Sequence, residues 1–341
     1  MSRILILALI GLGTTLLLRG RVQALPWARA WAERVRRLPV PILRSPERRS
    51  RVERGAALAQ GRLRAVTLER IELGTQSPVV ALAERGNVLY AGTFDEGLIR
   101  IEGGAQRALP VDARINDLAL DASGALIVAT GGGAFEVTAT GAATKFASGA
   151  FSAVASWRGE TWLVSRRGLS VRERSGLWTR GAGQGVGADL PDALASCGSS
   201  LCIGASDGLW LFDGQSASRH SSASGDLPAD WVTAAWGDEK EVWAGTFDGG
   251  LARLGGSKDP GRLYSSKGGL PEGQIAPHAL AVVAGVVYAG TPRGLLVVEG
   301  QAAQLFGDGP LGEGVSAVIP AARGGVWVGG LGQVRRIVVT P

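Results

Sequence analysis

Residues 242–254 read Val-Trp-Ala-Gly-Thr-Phe-Asp-Gly-Gly-Leu-Ala-Arg-Leu, and the chain repeats this phrase. Leu89–Ile101 and Val287–Val298 are near copies, and weaker ones begin at Leu126, Trp162, Leu201 and Val326. The copies lie about forty residues apart, which makes the chain an array of one small unit. Such a unit cannot bury its apolar face alone and must do so against its neighbours.

The clearest unit shows what it is made of. Leu227-Pro228 opens a loop, Val232–Trp236 is a β run, and Gly237–Lys240 is a turn. Glu241–Thr246 is a second strand. Asp248-Gly249-Gly250 turns tightly because glycine tolerates a positive φ. Leu251–Leu254 alternates as a third strand, and a variable fourth follows. Three to four short antiparallel strands per repeat predict a blade, and seven repeats predict an all-β, seven-bladed β-propeller. The small pairs Ala91-Gly92, Ala244-Gly245 and Ala289-Gly290 let adjacent sheets approach closely. Tyr90, Trp162, Trp243, Tyr288 and Trp327 fill the gaps between blades. The last repeat supplies only three strands, Val315–Pro320, Val326–Gly329 and Val334–Thr340. An orphan alternating run, Ala65–Leu73, precedes the first repeat. Pairing it into the last blade would close the ring and remove an exposed edge.

The unit "Leu-Pro, polar loop, β run, Gly turn, Val-Trp-Ala-Gly-Thr-x-Asp-Gly-Gly-Leu" resembles the two-component regulator propeller repeat. The match runs over about 75–341 and is strongest at 227–254. The resemblance implies an extracytoplasmic sensor of the kind carried by bacterial hybrid histidine kinases. No kinase, receiver or DNA-binding sequence follows the last repeat here, so the signalling half is expected elsewhere.

The net charge of +6 is unevenly placed. Residues 19–54 hold eleven arginines against three glutamates, and with Arg3 they leave 55–341 at −3. A nucleic-acid partner wants its basic patch on the folded face, so none is expected. A basic tail beside an apolar run suits anionic lipid. That run, Ile4–Leu18, is short for a membrane span and right for a signal peptide, and Val22-Gln23-Ala24 loosely fits a cleavage site. The flanking arginines oppose export. The reading favoured is a signal or uncleaved anchor over 1–24 with the propeller outside the cytoplasm. A cytoplasm-facing anchor and a buried helix are the alternatives. Segment 25–63 reads as a basic juxtamembrane linker with short helices: an amphipathic one at 25–37 bearing Trp27 and Trp31, and a second over Ala56–Leu63. The propeller takes 64–341.

Cys197 and Cys202 flank a Gly-Ser-Ser turn in a hairpin that allows a disulfide or buried thiols. A metal would want further ligands nearby, and no metal or cofactor is expected. Gly204–Gly208 matches the hydrolase nucleophile elbow, but it lies in a hairpin turn and the chain has two histidines. One constellation remains. The loops entering the first strands carry Asp112, Asp192, Asp230, Glu272 and Glu313, with Arg114, Trp231, Gln274 and His278 nearby. Converging acids would form a collar suited to a basic peptide or a cation; acids also simply hydrogen-bond turns. The expected function is a non-catalytic, membrane-associated, monomeric module that binds a protein or peptide. The alternatives are a ligand sensor signalling through a separate chain, or a propeller enzyme such as a lyase or hydrolase.

Overall fold

The structure is a computed structural model. It describes residues 53–54, 59–60, 63–112, 114–173, 178–180, 186–255, 261–307 and 311–340. The apolar segment 1–24 and the amphipathic segment 25–37 lie outside these residues. No helix among the described residues is long and apolar enough to cross a membrane.

The described strands group into seven four-stranded antiparallel meanders. The first comprises Val79–Arg85, Val88–Thr93, Leu98–Glu102 and Ala105–Leu109. The second comprises Ile115–Leu120, Leu126–Thr130, Gly133–Val137 and Ala143–Ser148. The third runs from Ala153–Trp157 through Glu160–Ser165 and Gly168–Arg172 to Trp178–Arg180. The fourth is Ala193–Cys197, Ser200–Ala205, Gly208–Phe212 and Ala217–His220, and the fifth is Val232–Gly237, Val242–Thr246, Leu251–Arg253 and Arg262–Tyr264. A single parallel bridge, Cys197 to Gly237, joins the first strands of these two. The sixth is Leu280–Val283, Val286–Thr291, Gly294–Glu299 and Ala302–Phe306. The seventh has Ala317–Pro320, Val326–Gly330 and Gln333–Thr340, and draws its outer strand from the other end of the described chain. Arg64–Glu72 pairs antiparallel with Gln333–Thr340, setting Val66 opposite Val338 and Ile71 opposite Val334.

The first strand of each meander lies against the first strand of the next, and the seventh returns to the first. Close packing at these junctions explains the small residues of the repeated phrase. A Cβ on Gly92 would fall 2.5 Å from Ile115 Cγ2, and one on Gly245 would fall 2.7 Å from Ile275 Cγ2. One on Gly329 would fall 2.7 Å from Val79 Cγ1, so the same contact closes the circuit. The aromatic of the second strand packs onto the following meander. Trp162 joins Leu194, Leu201 and Ile203, Trp243 joins Leu280 and Val287, and Trp327 joins Val79, Leu82 and Leu89 of the first meander. Burying each such side chain contributes about 1.5–3 kcal/mol. The threonine of the phrase has its own task. Thr93, Thr246 and Thr291 each donate a side-chain bond, 2.7–2.9 Å, to a carbonyl of the following turn. Gly250 accepts this at φ 109°, where a Cβ would sit 2.1 Å from the Tyr264 oxygen.

The chain before Arg64 departs from expectation. Where a helix over Ala56–Leu63 is predicted, Ala59–Gln60 is extended and pairs parallel with Ala302–Ala303 on the sixth meander. Glu53–Arg54 pairs likewise with Arg262–Leu263 on the fifth. Leu63 is buried against the sixth and seventh meanders, and its N–H donates to Gln304 Oε1 at 2.9 Å. Tertiary pairing outweighs helix propensity because the outer strands of these meanders offer open backbone donors and acceptors. The segment thus follows the outer edges of the fifth, sixth and seventh meanders in turn.

Cys197 and Cys202 form a disulfide with a Cα–Cα distance of 5.9 Å. Both are buried beside Leu227 and Val232. A Cβ on Gly237 of the fifth meander would meet Cys197 Sγ at 2.8 Å, so the neighbouring disulfide leaves room only for glycine there.

Candidate functional site: the loops at the entry of the first strands

The first strands of neighbouring meanders run parallel where they bridge, at Cys197–Gly237 and at Ala279–Val318. Their entries therefore share one end of the ring. In four meanders the entry loop is fixed by the turn between the second and third strands. Phe94 N–H donates to the Pro78 oxygen, Gly131 to Arg114, Ser206 to Asp189 and Phe247 to Trp231, at 2.8–3.2 Å.

The fifth meander builds the densest group. Trp231 stacks on Phe247 with ring centroids 4.7 Å apart, and both are half-buried. The Gly249 backbone lies against Pro228 and Ala229, and that of Gly273 against the Asp248 carbonyl. Three loops carrying Asp230, Asp248 and Glu272 thus meet around the aromatic pair. Asp230 Oδ1 accepts the Ser222 N–H at 2.7 Å. Glu272 Oε1 accepts the N–H groups of Gly273 and Gln274 at 2.8 and 2.9 Å, and its Oε2 lies 3.9 Å from Arg293 Nη1.

The other predicted residues divide. Asp112 Oδ2 accepts the Thr130 hydroxyl at 2.9 Å. The exposed Arg114 lays its guanidinium 4.8 Å over the Phe94 ring. Asp192 N–H donates to the Gly204 oxygen at 2.9 Å, and Glu313 stands exposed at the seventh entry. His278 does not join the acids of the loops. It turns inward, its Nδ1 lying 3.8 Å from Asp117 Oδ2. Asp230 and Glu272 accept backbone N–H groups and Asp112 accepts a hydroxyl, while Trp231 and Phe247 supply the apolar surface.

Asp117, Phe247 and Phe94 are functional candidates that pattern reading passes over. The phenylalanines stand at a variable position of the repeated phrase, beside its recurring turn glycines. Asp117 is visible only when the first strands are laid over one another by their pairing. Among the described residues no group of three or more His, Cys, Asp or Glu side chains is arranged to hold a metal.

No family model matches the chain, and no curated protein matches it. Solved structures do. Two chains described as extracellular domains of hybrid two-component systems from B. thetaiotaomicron superpose with TM-scores of 0.63 and 0.65 at 16% identity, over 80% and 77% of this chain. This chain spans 39% of the length of each. Virginiamycin B lyase from Staphylococcus aureus superposes with a TM-score of 0.64 at 11% identity, over 81% of this chain and 99% of the lyase. The fold is a β-propeller. At these identities the likeness speaks to fold alone, and the propeller's activity has to be argued from its own side chains.

Proposed function

We propose that this chain is a seven-bladed propeller, held outside the cytoplasm by its N-terminal segment, that binds a protein or peptide partner without catalysing a reaction. The observation that carries this reading is the Trp231–Phe247 stack, set among Asp230, Asp248 and Glu272 on loops pinned by backbone bonds. Rigid aromatic anchors give much contact area at little entropic cost. Carboxylates beside them favour a lysine- or arginine-bearing segment, which the rings also attract through cation–π contact. Fixed loops on a stiff ring suit presentation. The buried Cys197–Cys202 bond supports an oxidising compartment, and the basic tail at 19–54 supports a membrane surface next to the propeller.

A photo-crosslinking residue in place of the exposed Ala223, beside the loop held by Asp230, tests this in full-length protein on its native membranes. One protein partner is expected to crosslink, with the yield reduced about tenfold by Phe247→Ala combined with Asp230→Asn, roughly the effect of losing one anchor. An unchanged yield from a folded double variant contradicts the reading. A second reading, a sensor that signals through a separate chain, is favoured by the likeness to two-component extracellular domains. It predicts thermal stabilisation by a small sugar or peptide in the absence of the crosslinked partner.

A further inference from the structure

Two departures from the repeat meet inside this propeller. In six blades the residue that pairs with the small position of the second strand is alanine, from Ala81 in the first to Ala317 in the seventh. In the second blade it is Asp117, opposite Ala129. The second departure is an insertion. In six blades one residue separates the apolar start of the first strand from this position, as in Val232-Thr233-Ala234. In the sixth blade the run is Ile275-Ala276-Pro277-His278-Ala279, two residues longer. The extra pair loops out with His278 at φ 57°, a conformation a non-glycine residue rarely adopts. Strain of this kind is retained where surrounding structure requires it.

The inserted imidazole reaches the exceptional carboxylate. His278 Nδ1 and Asp117 Oδ2 are 3.8 Å apart, with the two side chains only 13% and 10% exposed. They belong to the second and sixth blades, so the contact crosses the middle of the ring. Each end is fastened. Asp117 Oδ2 accepts the Val154 N–H of the third blade at 2.9 Å, and Oδ1 accepts the Leu118 N–H at 2.8 Å. The His278 N–H donates to the Thr233 carbonyl of the fifth blade at 3.1 Å. Among the described residues, His278 is the one charged or titratable group acting on Asp117. The strands Ile115–Leu120 and Ala153–Trp157 bring only backbone N–H groups to the carboxylate. The fold itself does not ask for this pair, since five blades form with alanine and without the insertion.

We propose that His278 and Asp117 are a proton-operated tie across the centre of the propeller, closed when the imidazole carries its proton and released when it does not. A protonated imidazole facing a carboxylate in a largely dry place is a strong contact, and a neutral one is a weak contact. Closed, the tie links the second and third blades to the fifth and sixth. Burial is the largest influence on Asp117 and pushes its carboxyl above the ordinary range, with the His278 charge and the two N–H groups opposing it. The native state therefore holds this proton more firmly than the unfolded chain. That group alone makes stability fall as pH rises from the ordinary carboxylate range through the raised value. This does not depend on what the entry loops bind.

A double-mutant cycle tests the tie: wild type, His278→Gln, Asp117→Asn and the double variant of the full chain, melted at about pH 5.5 and about pH 8. At the lower pH the single losses in Tm are expected to be non-additive by ~3 °C, and at the higher pH by less than ~1 °C. Additive losses at both values, or the same coupling at both, overturn the proposal. Asn leaves one backbone N–H without its acceptor, so a second variant guards against misfolding. Deleting Pro277 and His278 restores the spacing of the other six blades. It is expected to fold, and adding Asp117→Asn to it is expected to lower Tm at about pH 5.5 by ~3 °C less than the same substitution does in the wild type; an equal loss in both contradicts the tie.

Discussion

A chain shortened to begin at residue 73 is expected to lose cooperative folding, whereas one beginning at residue 51 is expected to melt within a few degrees of the full-length protein. The shorter chain lacks Arg64–Glu72, so the ladder against Gln333–Thr340 disappears along its whole length. It also lacks Leu63, which is buried between the sixth and seventh blades. The outer side of the last blade is left as an open edge carrying Val334, Ile337 and Val338, a template for aggregation. The loss is comparable with the net stability of a whole domain, about 5–15 kcal/mol. The measurement is soluble yield together with a denaturant curve. A soluble, cooperatively unfolding 73–341 fragment would show that the ring stands without its early strand.

Trp327→Ala is expected to cost about 3–5 kcal/mol, the usual range for emptying a buried large aromatic site, and to lower Tm by roughly 10 °C in a domain of this size. Trp327 is 5% exposed and packs on Val79, Leu82, Leu89 and Ala91 of the first blade. Its indole Nε1 makes no hydrogen bond, so the loss is one of packing and not of an orphaned partner. Trp327→Phe, which keeps a ring in the gap, is expected to cost clearly less. If the alanine variant cost under ~1 kcal/mol, the junction between last and first blades would not be a packed one. Chevron or equilibrium denaturation with an unchanged m-value would confirm that the effect is local.

The architecture was legible because the repeated phrase states its own packing. Ala-Gly marks where two sheets touch, the preceding aromatic marks what fills the gap, and the threonine marks a fastened turn. The orphan run Ala65–Leu73 was legible for the same reason: an alternating strand without a partner and a last repeat short by one strand complete each other. The path before it was not. Ala56–Leu63 has helix-like composition, and only the open edge of the sixth blade makes Ala59–Gln60 extended. At the site, the acids are legible because they recur at loop entries, with Trp231 beside one of them, and Asp112, Asp230 and Glu272 each accept a local hydrogen bond. His278 was grouped with them by sequence distance, and the two-residue insertion that turns it inward shows only against the pairing of the other six blades. Asp117 was missed because a single acid in an alternating strand reads as solvent-facing. Its column of six alanines is the signal that exposes it.

The direct test of ring closure is a covalent one. Val66 and Val338 lie opposite each other in the ladder between Arg64–Glu72 and Gln333–Thr340, so cysteines placed there come within reach of a short thiol crosslinker. Val66→Cys with Val338→Cys, treated at low protein concentration and digested, should yield one linked peptide joining residue 66 to residue 338 in the monomeric fraction, in high yield and without loss of Tm. Free thiols, or links found only between molecules, would mean that the early strand lies elsewhere and that the ring is not latched by its own beginning.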